Sequence, residues 1–120
     1  MPKITVKDHG SFDVPAGKRL VLALEDSGLD VLHRCGGYAK CTTCRVKITK
    51  GNPDKMTVAE RSRLMEDGLI GEVRLGCQIL CDHDMEVELV WQVSTTDYDS
   101  PGRKPEDHIT PDPEWTDLPR

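Results

Sequence analysis

Aromatic side chains are scarce in this chain of 120 residues, which has one Phe, two Trp and two Tyr. Its core must therefore be packed mostly with Val, Leu and Ile, and at this length one domain with a modest core is expected. Long apolar runs are missing too. Nothing approaches the roughly 20 apolar residues that a membrane-spanning helix requires, so no membrane insertion is expected. No apolar h-region opens the sequence, since Met1-Pro2-Lys3 runs straight into an alternating stretch, and a secretory signal is not expected. Five cysteines is an odd number, which argues against a fully paired disulfide framework. Thiols kept free suit a reducing compartment, so the expected setting is cytoplasmic.

What the chain does have is three thiols in one short loop, Cys35-Gly36-Gly37-Tyr38-Ala39-Lys40-Cys41-Thr42-Thr43-Cys44, and a fourth further on at Cys77. Cys41-x2-Cys44 alone grips a metal from one tight turn or forms a redox pair, and says no more than that. Four thiolates are what a two-iron, two-sulfide cluster needs, and plant-type ferredoxins supply them as C-x4-C-x2-C plus one distant Cys. A loop wrapped over an anionic cluster must aim backbone N–H groups at sulfur. Gly36 and Gly37 suit that demand because glycine reaches backbone angles closed to other residues. Thr42 and Thr43 offer hydroxyl donors, and hydrogen bonds to the sulfurs are one lever on reduction potential.

The first spacer here is five residues rather than four. With Val73-Arg74-Leu75-Gly76-Cys77-Gln78 as the segment carrying the last thiol, the chain resembles [2Fe-2S] ferredoxins of the plant/adrenodoxin type over roughly residues 3–91. The resemblance implies a [2Fe-2S] cluster held by Cys35 and Cys41 on one iron and by Cys44 and Cys77 on the other. It implies a soluble one-electron carrier between a reductase and an acceptor redox enzyme, both met transiently, with no nucleic acid partner and no catalytic residues. Electrons are expected to leave at the rim around residues 39–43. The implied fold is α+β, the β-grasp (ubiquitin-like) ferredoxin fold, a mixed sheet packed on one main helix.

Local patterns agree with that order. Ile4 and Val6, then Phe12 and Val14, alternate with polar residues about a His9-Gly10 turn and predict a hairpin. Residues 19–27 are apolar at helical spacing, with Gly28 as the stop. Residues 45–49 alternate as a strand. Thr57-Val58-Ala59-Glu60 is a capping-box pattern predicting a helix from about Val58 to Glu66, and Met85, Val87 and Leu89 alternate as a last strand. From Ser94 the composition turns polar and acidic, interrupted by Pro101, Pro105, Pro111, Pro113 and Pro119, so residues 1–93 read as the domain and 94–120 as an extension. The net charge of −5 divides accordingly: residues 1–93 carry 13 Lys and Arg against 14 Asp and Glu, and residues 94–120 carry 3 against 7. Ile109 and Trp115 are the candidate anchors if the tail docks.

Cys81 fits no ligand position of the resembling family and reads as a small packed hydrophobe. His33 is expected to face solvent, and Trp91 to pack at the core edge. Two rival readings remain: a structural zinc module of Cys41, Cys44, Cys77 and Cys81, which leaves Cys35 and the glycine pair without a role, and a thiol oxidoreductase working through Cys41 and Cys44.

Overall fold

A computed structural model of the chain describes residues 1–96, 98–100 and 102–117. Two of the tail prolines, Pro101 and Pro119, lie outside the described residues. Apolar alternation produces β1 (Lys3–Val6), which turns back into β2 (Gly10–Asp13) as the expected hairpin, with Ile4 opposite Phe12. β3 (Lys18–Arg19) leads directly into α1 (Leu20–Asp26). The cysteine loop follows, then β4 (Arg45–Lys50), β5 (Lys55–Thr57), α2 (Val58–Glu66), β6 (Arg74–Leu75), β7 (Leu80–Cys81), β8 (Met85–Leu89) and β9 (Trp115–Asp117). A short 3-10 turn at Gly76–Gln78 separates β6 from β7.

The main sheet runs β2-β1-β8-β4-β6, with β1 parallel to β8 and the other pairs antiparallel. Ile4, Val6, Val46, Leu75, Met85 and Val87 from its strands are buried in one core with Leu20, Val21, Leu22, Ala23 and Leu24 of α1. Burying a Leu or Val side chain contributes about 1.5–3 kcal/mol each, so these aliphatics carry the fold without aromatic help. The single Phe only packs against the edge of the core. The result is the α+β, β-grasp arrangement that the resemblance implies.

α2 begins and ends where the sequence predicts, but its capping box closes on one side only. Thr57 Oγ1 accepts from the Glu60 N–H at 3.0 Å. The Glu60 carboxylate does not reach back. It is buried against Arg74, with Nε to Oε2 at 2.8 Å and Nη2 to Oε1 at 3.1 Å, and it also accepts from Leu75 N–H at 2.9 Å. A forked charge-assisted pair outweighs one bond at a helix end.

The tail lies along the body. β9 pairs with β5, Val58 N–H donates to Glu114 O at 2.7 Å, and Pro105, Ile109 and Thr110 are buried. Ile109 is thus a buried anchor, whereas Trp115 leaves its side chain 47% exposed and ties the tail down through its backbone pairing with Thr57. No helix among the described residues is long and apolar enough to cross a membrane.

Candidate metal centre

The loop between α1 and β4 presents Cys35, Cys41 and Cys44, and the 3-10 turn after β6 presents Cys77. Two features join these segments. Arg45 of β4 faces Leu75 of β6, and Gly76 N–H donates to Cys44 O at 3.0 Å. Within the loop, Gly36, Gly37, Ala39 and Thr42 all adopt left-handed backbone angles. For a β-branched residue such as Thr42, at φ 55°, that conformation is strained and needs support. Arg45 provides it, donating from Nη2 to Thr42 Oγ1 at 2.7 Å and from Nε to Thr42 O at 3.1 Å, while its guanidinium lies 3.9 Å over the Trp91 ring. Trp91 therefore does more than fill the core edge, because it backs the side chain that bends the loop.

The thiols are partnered Cys35 with Cys41 and Cys44 with Cys77. Cys35 and Cys41 are half-buried, and Cys44 and Cys77 are buried. A hydrogen bond from Cys41 holds the Cys35 thiol down at about 4 against the opposing effect of burial, helped by the N–H groups of Lys40, Tyr38 and Cys41. Cys41, the donor of that pair, is pushed up. In the same way Cys44 lowers Cys77 and is itself raised, and the Gln78 amide adds to the lowering of Cys77. Backbone donors reach the sulfurs directly, from Cys35 N–H to Cys41 Sγ at 3.3 Å and from Lys40 N–H to Cys35 Sγ at 3.5 Å. Thr43 Oγ1 accepts the Arg34 N–H at 3.0 Å and sits 3.0 Å from Cys41 Sγ, so its own proton is free for the sulfur.

Arg19 completes the site, and no sequence signal pointed to it. It is fully buried, and among the described residues its five hydrogen bonds all end on backbone carbonyls, none on a carboxylate: Cys77 O twice, at 2.9 and 2.6 Å, Gly37 O at 2.7 Å, and Glu106 O and His108 O at 2.9 Å. A buried guanidinium normally needs a counter-charge. Burial pulls this one down, and the charges that oppose the pull belong to Cys77, Cys44 and Cys35. The arrangement fits a net anion held by thiolates. Among the described residues, no three or more His, Cys, Asp or Glu side chains are placed to hold a single metal ion. Two thiols per metal is the demand of a two-iron cluster, whereas a zinc site needs four donors on one centre.

Other expected residues take different places. Gly36 donates its N–H to His33 O at 2.9 Å, not to sulfur. The glycine pair instead leaves space for arginines, since a Cβ at Gly37 would sit 2.5 Å from Arg19 Nη2 and one at Gly36 2.8 Å from Arg103 Cδ. Thr42 Oγ1 accepts from Arg45 Nη2. His33 is not solvent-facing but 2% exposed, with Nδ1 2.7 Å from Arg103 O and Nε2 against the Glu25 carboxylate. One of those partners lies in the tail, 70 residues away, and nothing local announces it. Cys81 is buried in β7 opposite Lys18, and burial pushes its thiol up to about 12. It is the packed thiol that its position in the sequence suggests.

Comparison with known proteins agrees with this geometry. Residues 4–82 match the family described as the 2Fe-2S iron-sulfur cluster binding domain. A component of the Na(+)-translocating NADH-quinone reductase of Chlamydia muridarum is 40% identical over 87 residues, which is 72% of this chain and 20% of that protein. The chain thus spans about a fifth of the length of the curated relatives it matches. An ISC-like [2Fe-2S] ferredoxin of Pseudomonas putida superposes with a TM-score of 0.63 at 27% identity, covering 75% of this chain and 93% of that one. A ferredoxin of Rhodopseudomonas palustris, at 23% identity and TM-score 0.55, covers 75% of this chain and 95% of that one, and shares the fold. The chain belongs to the 2Fe-2S iron–sulfur cluster binding family, with a [2Fe-2S] cluster as its cofactor.

Proposed function

We propose that this chain is a soluble carrier of single electrons between a reductase and an acceptor redox enzyme, each met transiently. Cys35 and Cys41 would hold one iron, and Cys44 and Cys77 the other. The observation that carries this reading is the convergence of the Cys35–Cys41 loop, joined by the Cys35 N–H to Cys41 Sγ bond, and the Cys77 turn on a buried guanidinium that has no carboxylate partner among the described residues. When bound, the cluster supplies one-electron redox chemistry at the loop.

The residues around it divide the remaining work. Cys35 N–H, Lys40 N–H and Thr43 Oγ1 place donors on the outer sulfurs, which favours added negative charge. Arg19 adds fixed positive charge on the buried side. Cys44 and Cys77 are sealed from water, while Tyr38, Lys40 and Cys41 remain accessible, so a partner would approach the Cys35–Cys41 side. Lys40 and Arg34 beside that opening would favour a partner with an acidic face, an attraction that salt weakens.

A second reading has its own support. The likeness to a small part of longer NADH-quinone reductase components suits an electron-transfer module of a larger assembly. An anaerobic reductive titration of the isolated chain tests the carrier reading. One electron taken up per chain and returned to cytochrome c is expected. Uptake of two electrons with formation of two free thiols would mean dithiol chemistry and would contradict it.

A further inference from the structure

We infer that residues 102–110 form a clasp closed over the buried side of the cluster loop, with Arg19 as both its latch and the cluster's buried counter-cation. This rests on the reading of Cys35, Cys41, Cys44 and Cys77 as cluster ligands. Arg19 is a positioning residue here, since its guanidinium bonds to carbonyls on both sides of one seam. Gly37 O and Cys77 O belong to the loop and turn that carry the cysteines, and Glu106 O and His108 O belong to the tail.

Three further bonds close the same seam. Gln78 Nε2 donates to Thr110 O at 2.8 Å, Thr110 Oγ1 donates to Gly37 O at 3.1 Å, and His33 Nδ1 lies 2.7 Å from Arg103 O. Arg103 packs on Gly36, where an added Cβ would sit 2.8 Å from Arg103 Cδ and displace it, and Ile109 is buried in the same stretch. Neutral carbonyls satisfy the hydrogen bonds of Arg19 but leave its charge unanswered. Keeping an unpaired cation in the interior is costly, and an anionic cluster on the neighbouring thiolates removes that cost. Tail docking, Arg19 burial and cluster retention are therefore linked, and water is kept from the Cys44–Cys77 side while the Cys35–Cys41 side stays open.

The test uses full-length, cluster-loaded protein, following hydrogen exchange over residues 102–110 together with the reduction potential. For Arg19→Gln, exchange across the tail should rise roughly tenfold or more, because hydrogen bonds from a charged donor are lost, and the potential should move negative. Arg19→Lys keeps the charge, so its potential should stay near that of the unaltered protein. Three ammonium donors cannot span four carbonyl-bearing positions, so tail exchange should still rise. Wild-type exchange in Arg19→Gln overturns the latch, and a wild-type potential overturns the counter-cation. If Arg19→Gln does not fold, Ile109→Glu loosens the tail with Arg19 in place. Chelator should then bleach the cluster several-fold faster, and bleaching at the wild-type rate overturns the clasp. Iron and sulfide in the unaltered protein, assayed in the same series, keep the two readings apart: their absence defeats the cluster reading, whereas their presence with an unresponsive tail defeats the clasp alone.

Discussion

Five thiols of one chemical type have been given three different surroundings. Cys35 and Cys41 share a half-exposed pocket rich in N–H donors, Cys44 and Cys77 share a buried one beside Arg19, and Cys81 is packed among apolar neighbours with its thiol pushed up to about 12. The consequence is an asymmetric response to substitution. Cys35→Ser should lose the visible absorbance and the bound iron. Cys81→Ser should keep both, at a stability cost of about 1–3 kcal/mol for a hydroxyl buried without a partner. Iron assays on the two purified variants check this, and retained iron in Cys35→Ser would contradict the ligand set. His83 gives a prediction of a different kind. Its Nε2 sits 2.5 Å from Gly51 O and its Nδ1 2.5 Å from Asp82 Oδ1, and these acceptors, Gly51 first, raise it above the ordinary histidine value. The protonated ring is favoured in the folded chain, so its contribution is full below the unfolded value and is lost as pH rises through the raised one. An NMR titration should place the midpoint above about 6.5, and a lower midpoint would contradict the assigned contacts.

Helix α2 shows how one element is tied to the site. Thr57 caps it, and the same hydroxyl donates to Gln78 Oε1 at 2.6 Å, next to Cys77. Glu60, one turn on, forks onto Arg74, whose remaining donors fasten Asn52 Oδ1 and the carbonyls of Pro53 and Lys55. Removing one partner from a buried pair leaves the other charge stranded. Glu60→Ala should therefore cost about 3–5 kcal/mol in chemical denaturation of the loaded protein. A loss under about 1 kcal/mol would show that Arg74 finds water instead. Sequence pattern placed this helix at about Val58 to Glu66, because the Thr57-Val58-Ala59-Glu60 pattern is a local signal. The same pattern misassigned Glu60, whose role depends on Arg74, 14 residues on. The hairpin, α1, β4 and β8 were readable for the same local reason. β3, β5, β6, β7 and β9 were not, since two or three residues hold no alternation and their pairing is fixed by distant partners.

In the whole molecule, the cysteine spacing pointed to the candidate metal centre, because metal ligation requires particular residue types in a particular order. What surrounds the thiols was hidden. Arg19 reads as the first residue of the helical stretch 19–27, His33 as a loop histidine, and residues 94–120 as a polar extension, yet Arg19, His33 and described tail residues meet at the loop through contacts spanning up to 89 residues. Those contacts join backbone carbonyls, which every residue owns, so side-chain pattern carries no trace of them. The tail's excess of acid likewise gave no hint that its polypeptide backbone, rather than its carboxylates, receives the Arg19 donors. The central claim is that four thiols in two pairs hold two irons and two sulfides. It is tested by assaying iron and acid-labile sulfide in the anaerobically purified full chain, with visible spectra before and after dithionite. A red-brown protein with two of each per chain that bleaches on reduction is expected. A colourless chain carrying a single zinc would contradict it.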